Sequence, residues 1–199
     1  MISGVTDASR LEPSEMMDDL RSSEKDRQNR AYESLLRAAE EPVEWGYEVW
    51  DELLGMLKNG DSRQRSIAAQ VLCNLAKSDP DERILRDLGA LLAVTRDERF
   101  VTARHCLQAL WRVGVVGERQ REALVAGLVH RFGECRGEKN CTLIRYDILA
   151  VLRRVYDATG DAALRSTAAG LMGIEEDAKY RKKYNTLWRK WEEYPKCDG

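Results

Sequence analysis

The chain has 199 residues, 43% of them hydrophobic and 33% charged, with a formal net charge of -2. That length suffices for one domain with a sizeable core, and so small a net charge excludes a polycation held to nucleic acid by its total charge. No apolar run approaches the roughly 20 residues needed to cross a bilayer, and the opening "MISGVTDASRLEPSE" lacks the basic and apolar regions of a secretory signal.

Residues 1–13 are polar and aperiodic and read as a flexible tail. A first helix is expected from Ser14, a good N-cap, with Met17 and Leu20 on its apolar side. A second is expected over 23–40, with Ala31, Leu35 and Ala38 facing inward, and Pro42 closes that pair. The next helix covers 44–57, with Val49, Leu53, Met56 and Leu57 at helical spacing. "NGDS" supplies a turn and a cap for its partner over 62–77. "SDPDE" then offers Asp79 or Asp81 as a cap, with Glu82 suited to the positive end of a helix whose stripe is Ile84, Leu88, Leu91 and Leu92. "TRDER" turns into a helix ending near Val113, and "GVVGE" breaks it. An amphipathic helix over 118–132 follows, then the longest loop, "GECRGEKNC", then a helix over 142–158. A short alanine-rich helix reaches Met172, and a final one runs over 175–194. The segments exceed strand length and lack period-two alternation, so the expected class is all-α.

Four of these segments share one apolar grid: "RAYESLLRA", "IAAQVLCNLA", "TARHCLQALW" and "IRYDILAVLRRV". Superimposing Leu35, Leu72, Leu107 and Leu149 aligns them, at spacings of 37, 35 and 42 residues. A recurrence of this length implies stacked helix pairs, because one pair alone cannot bury its apolar face.

The element "GDSRQRSIAAQVLCNLA" resembles HEAT-like repeats, in which a turn with Asp and Arg opens the second helix ahead of small residues and spaced leucines. Asp61, Arg63, Arg65, Ala68, Ala69, Leu72 and Leu75 carry the resemblance; a later copy keeps Asp97, Arg99 and its leucines. The resemblance implies a right-handed α-α superhelix of about five helix pairs over 14–174, closed by a basic, aromatic capping helix over 175–199. It also implies that the second helix of each pair lines a concave face where ligands bind.

On that basis the candidate partner-binding ridge is Arg63, Gln70, Asn74, Lys77, His105, Arg112, Asp147 and Arg154. Two columns follow from the leucine alignment: Lys77, Arg112 and Arg154 as a cationic stripe, and Gln70, His105 and Asp147 beside it. The bland reading of each cation is a solvated side chain near a helix C-terminus. His105 beside Asp147 has the composition of an acid–base pair, though no nucleophile accompanies it. Glu44, Glu48, Asp51 and Glu52 make the opposite, convex side acidic. In the tail, Arg181, Lys182, Lys183 and Trp188 form a second basic and aromatic surface, read either as an end cap or as a binding helix.

Five cysteines without framework spacing favour a reducing, cytoplasmic setting. His130, Cys135 and Cys141 are zinc-ligand types at spacings that fit no usual site, and a Cys135–Cys141 disulfide, though within reach, runs against that setting. No phosphate loop, serine elbow or zincin motif is present, and no cofactor is implied. The leading expectation is therefore a non-enzymatic scaffold that holds a protein or peptide partner on its concave face. The alternative is nucleic-acid binding through the phosphate backbone, as in the HEAT-like alkylpurine DNA glycosylases, for which Trp111 and Asp147 are the aromatic and carboxylate candidates. A third is a helper for a cofactor-bearing protein, as in lyase-type HEAT proteins.

Overall fold

The computed structural model describes residues 12–189, and every regular element among them is helical. The helices are α1 (Pro13–Leu20), α2 (Lys25–Ala38), α3 (Gly46–Asn59), α4 (Ser62–Leu75), α5 (Arg83–Val94) and α6 (Phe100–Ala109). They continue as α7 (Trp111–Gly114), α8 (Glu118–Glu134), α9 (Cys141–Thr159), α10 (Ala162–Ile174) and α11 (Ala178–Arg189). A single 3-10 turn, Ala76–Ser78, extends α4. None of the described helices is long and apolar enough to cross a membrane. The expected N-terminal tail up to residue 11, and the end of the basic segment including Lys190 and Trp191, lie outside the described residues.

Local chemistry sets the boundaries. α1 starts at Pro13, ahead of the expected Ser14 cap, because proline at the first helical position forfeits no hydrogen bond. At α4, Asp61 Oδ1 accepts from the Gln64 amide at 2.8 Å and Gln64 Oε1 accepts from the Asp61 amide at 2.9 Å. This reciprocal box satisfies two otherwise orphan donors. At α5 the cap is Asp79, whose carboxylate accepts from the amides of Arg83 and Ile84 at 2.9 and 2.7 Å. Glu82 does not serve that helix end. It sits at φ 52 and turns to α8, where it takes Arg119 and Gln120. The helix expected to run unbroken to Val113 divides into α6 and α7 at Leu110, whose amide bonds Leu107 O three residues back rather than four. α9 stops at Gly160, which adopts φ 69 and donates to Tyr156 O. Glu175, expected to open the last helix, instead closes α10, because its carboxylate is buried against Arg145 and the Tyr184 hydroxyl.

Helices follow one another in two rows. α1 touches α3, α3 touches α5, and α5 touches α8; in the second row α2 touches α4, α4 touches α6, α6 touches α9, and α9 touches α11. The four aligned leucines, Leu35, Leu72, Leu107 and Leu149, lie between the rows and are at most 2% exposed. Trp50, fully buried in the first row, donates its indole N–H to Asp87 at 2.9 Å. Gly114 lets α7 close on its neighbours: a Cβ there would meet Val155 Cγ2 at 2.8 Å and Leu124 Cδ2 at 3.1 Å.

Ion pairs tie each helix pair to the next. Arg21 reaches Glu52, Arg83 reaches Asp51, Arg119 reaches Glu82, Arg121 reaches Asp161, and Arg96 reaches Glu134. Most are exposed and worth at most about 1 kcal/mol each. The acidic side expected on α3 is thus partly neutralised from its neighbours. Arg65 with Asp97 is a different case. The guanidinium donates at 2.5 and 3.1 Å to a carboxylate that is only 3% exposed, and also to Gly60 O at 2.7 Å. These are the Asp and Arg positions of two successive copies, brought into contact. Burial works to raise the Asp97 pKa, but Arg65 and the Arg99 amide outweigh it and hold the group below the usual carboxylate value.

A carboxyl group with a depressed folded-state pKa contributes stability above its unfolded pKa, near 3.9, and loses it as pH falls through the folded value. Asp97→Asn is therefore expected to destabilise the chain by about 2 kcal/mol at neutral pH and to flatten the loss of stability between about pH 5 and pH 2. Urea unfolding across that range measures both, and an acid limb unchanged by the substitution would discard this role for Asp97.

Candidate functional site

The second row presents the residues singled out in the sequence, and the leucine alignment explains who meets whom. Tyr32 stands three residues before Leu35, and Gln70 two before Leu72. The Tyr32 hydroxyl donates to Gln70 Oε1 at 2.8 Å. Arg104 and Asp147 hold the same two positions in the third and fourth copies. Arg104 donates to Asp147 at 2.7 and 3.1 Å. Between them the corresponding residue is Ala69, which has no polar end to offer. His105 therefore bonds one turn earlier, through Nδ1 to Ser66 Oγ at 2.9 Å.

Gln70, His105 and Asp147 thus occupy equivalent positions on adjacent helices but do not form one constellation. His105 and Asp147 do not hydrogen-bond each other. Asp147 is 2% exposed, and its carboxylate is taken by Arg104 and, at 3.5 Å, by Gln108. That leaves no open carboxylate for acid–base work at this position. Asn74 is buried and donates to Gln70 O at 2.8 Å, which makes it a brace of α4 rather than a contact residue. Arg63 is exposed and bonds Asn29. Tyr32, Arg63, Ser66, Gln70, Val101 and His105 border an open cavity of about 570 Å³. Val101, 63% exposed, supplies an apolar edge.

The cationic column lies further along the same helices, five residues past each aligned leucine: Glu40, Lys77, Arg112 and Arg154. Lys77 Nζ donates to Glu40 O at 2.7 Å. Arg112 and Arg154 meet at Trp111, their guanidinium carbons 4.8 and 5.6 Å from its ring centroid. Among the described residues neither has a carboxylate partner. Burial lowers the Arg112 pKa and the like charge of Arg154 adds to the effect, while Cys73 and Tyr32 oppose it. Burial also pushes the Cys73 thiol up to about 12, so it is no thiolate nucleophile. The field of Arg112 thus reaches α2 and α4 as well as its own helix.

The C-terminal basic surface divides. Trp188 packs on α9: its ring lies 5.9 Å from Tyr156 and 5.5 Å from the Arg153 guanidinium, which also donates to Trp188 O. Tyr184 is buried and donates to Thr142 O at 2.7 Å. Lys183 lies 5.5 Å from the rings of both Tyr146 and Tyr180, while Arg181 and Lys182 are exposed. Tyr184 and Trp188 of α11 thus pack on α9. His130 pairs with Glu134, and Cys135 and Cys141 are joined in a disulfide, so the zinc-ligand set is already engaged.

Ser66 shares its side of the helix with Arg63 and Gln70, whereas Tyr32 and Arg104 are the participants that the leucine spacing alone did not single out. Their signal is positional: polar residues one step around the helix from the ridge, visible only when copies are compared side by side. No protein-family model matches the chain, and no curated protein matches it.

Removing either member of the Arg104–Asp147 pair leaves the other without its counter-charge. Asp147→Ala is expected to cost about 2–3 kcal/mol, and a double-mutant cycle with Arg104→Ala to return a coupling of about 1–2 kcal/mol. Strictly additive losses in urea unfolding would mean that the pair does not tie α6 to α9.

Proposed function

We propose that this chain is a non-enzymatic HEAT-like scaffold: a right-handed α-α superhelix whose second helices line a concave face that holds an acidic segment of a protein partner. Support for the architecture comes from the chain-order contacts within each row and from equivalent positions meeting in successive copies, Tyr32 with Gln70 and Arg104 with Asp147. The single observation that carries the functional reading is the pair Arg112 and Arg154, whose charges no carboxylate among the described residues answers. On the same row of helices, Tyr32, Gln70 and His105 line an open cavity with Val101 as its apolar edge. A cytoplasmic setting belongs to the same reading, and there the Cys135–Cys141 bond is one that a reducing milieu would open.

An acidic peptide fits this charge pattern better than a nucleic acid. Proteins that follow a phosphodiester backbone typically make about 6–10 phosphate contacts. Here Arg65, Arg104, Arg121 and Arg145 are already engaged by Asp97, Asp147, Asp161 and Glu175. Two clustered, unanswered arginines suit one or two acidic side chains.

The test measures fluorescence anisotropy of labelled peptide pools, acidic and basic, and of single-stranded and duplex oligonucleotides. The acidic pool is expected to bind with a Kd on the order of 10 μM, and Arg112→Glu with Arg154→Glu to weaken it at least about tenfold. Equal affinity for acidic and basic pools would overturn the reading. Oligonucleotide binding with a log–log salt slope steeper than about -5 would replace it with the nucleic-acid alternative.

A further inference from the structure

We infer that Arg112 and Arg154, at the rim of Trp111, form a receptor for a phosphate monoester dianion: the phosphorylated side chain of the segment that the second-row face holds. The inference rests on the scaffold reading above and names its anchor.

Charge and geometry select this ligand. Two guanidinium groups converge on one indole ring, at 4.8 and 5.6 Å from its centroid. The flat stacking surface limits how each fork can turn, which preorganises its N–H groups. Two like charges held this close repel, and burial of Arg112 sharpens the repulsion. One carboxylate would answer half of the combined charge. A phosphate monoester carries about -1.5 to -2 near neutral pH and has three acceptor oxygens, enough for both guanidinium forks. The Trp111 indole N–H is shielded from water and has no acceptor among the described residues. The Trp188 indole N–H is in the same state, so the ligand is argued from the two guanidinium groups: they gather here without an acid, and a dianion supplies acceptors.

The neighbouring copies show why the site falls here. At the equivalent position in the second copy, Lys77 already donates to Glu40 O, so its charge is directed toward the first pair. On α9, the adjacent Arg153 is engaged by Asp157 and by Trp188 O. Arg112 and Arg154 are the members of the column that share one aromatic ring, Trp111.

The experiment uses the full chain and short degenerate peptide pools whose central residue is Ser, phosphoserine or Glu. The phosphoserine pool is expected to bind at least about tenfold more tightly than the Ser pool. Arg112→Gln and Arg154→Gln should each reduce that advantage below about threefold, while the thermal melt stays as in the parent chain. Phenyl phosphate should displace the phosphoserine pool. Equal binding of the Ser and phosphoserine pools, or an advantage that survives both substitutions, overturns the phosphate site and leaves the scaffold reading in place. A Glu pool as tight as the phosphoserine pool also overturns it, since a single charge would then suffice. If no pool binds, the scaffold reading fails, and the site is judged by itself. Phenyl phosphate is titrated while the Trp111 indole N–H resonance is followed, assigned through Trp111→Phe. A shift lost in Arg154→Gln supports the site, and no shift overturns it. Oligonucleotide binding abolished by the same two substitutions overturns the side-chain phosphate in favour of a phosphodiester.

Discussion

Packing of buried leucines between consecutive helices is the constraint on which the other contacts depend. α4, which carries the buried Leu72, packs against α2, α3 and α6. Consecutive helices of the second row are therefore packed against one another in chain order. This packing fixes the register between helices: buried leucines at Leu35, Leu72, Leu107 and Leu149 must stay level for the interface to close. Once they are level, every other position on those helices has an assigned lateral neighbour. The polar contacts on the outer face are consequences of that register.

The two kinds of polar contact then differ in what they contribute. Exposed pairs such as Arg119 with Glu82 bridge adjacent helix pairs at little net gain, since solvent screens them. Arg65 with Asp97 and Arg145 with Glu175 are partly or fully removed from water, so breaking one leaves an uncompensated charge where it is expensive. Such pairs add less to stability than to specificity, because only the correct register satisfies them. The same logic reaches the end of the described chain. Glu175 takes Arg145 and the Tyr184 hydroxyl together, which docks α11 on α9 through one buried carboxylate. Burial and the Glu175 charge both raise the Tyr184 pKa, so the phenol stays protonated and remains a donor.

Much of this was legible in the residues, because periodicity is a local signal. The helical stripes, the Asp61 cap and the alignment of four leucines all follow from spacing. Side-chain partnering was legible only where the alignment could be extended sideways. It placed Arg112 and Arg154 together, and they do meet at Trp111. It also placed His105 beside Asp147, yet these two bond elsewhere. The reason is that a long arginine one step around the helix, Arg104, reaches Asp147 first, and Ser66 offers His105 a partner one turn away. Helix ends were less legible. Glu82 and Glu175 have the sequence signature of N-terminal acidic residues, but each is drawn to cations on another helix, a tertiary preference that local propensity cannot register.

Register also accounts for where positive charge accumulates in a chain of net charge -2. An arginine is neutralised when an acidic residue lies within its reach on the next helix, as Arg104 is by Asp147 one step around from its own level. Five residues past the aligned leucine the level residues are Arg112 and Arg154, so stacking brings like to like. The fold tolerates this because the aromatic ring of Trp111 lies against both guanidinium groups, and cation–π contact returns about 0.5–2 kcal/mol each against the repulsion. An indole stabilises cations without neutralising them. The charge therefore remains available to an anion, whereas the buried arginines among the described residues, Arg131, Arg145 and Arg153, are answered by Glu138, Glu175 and Asp157.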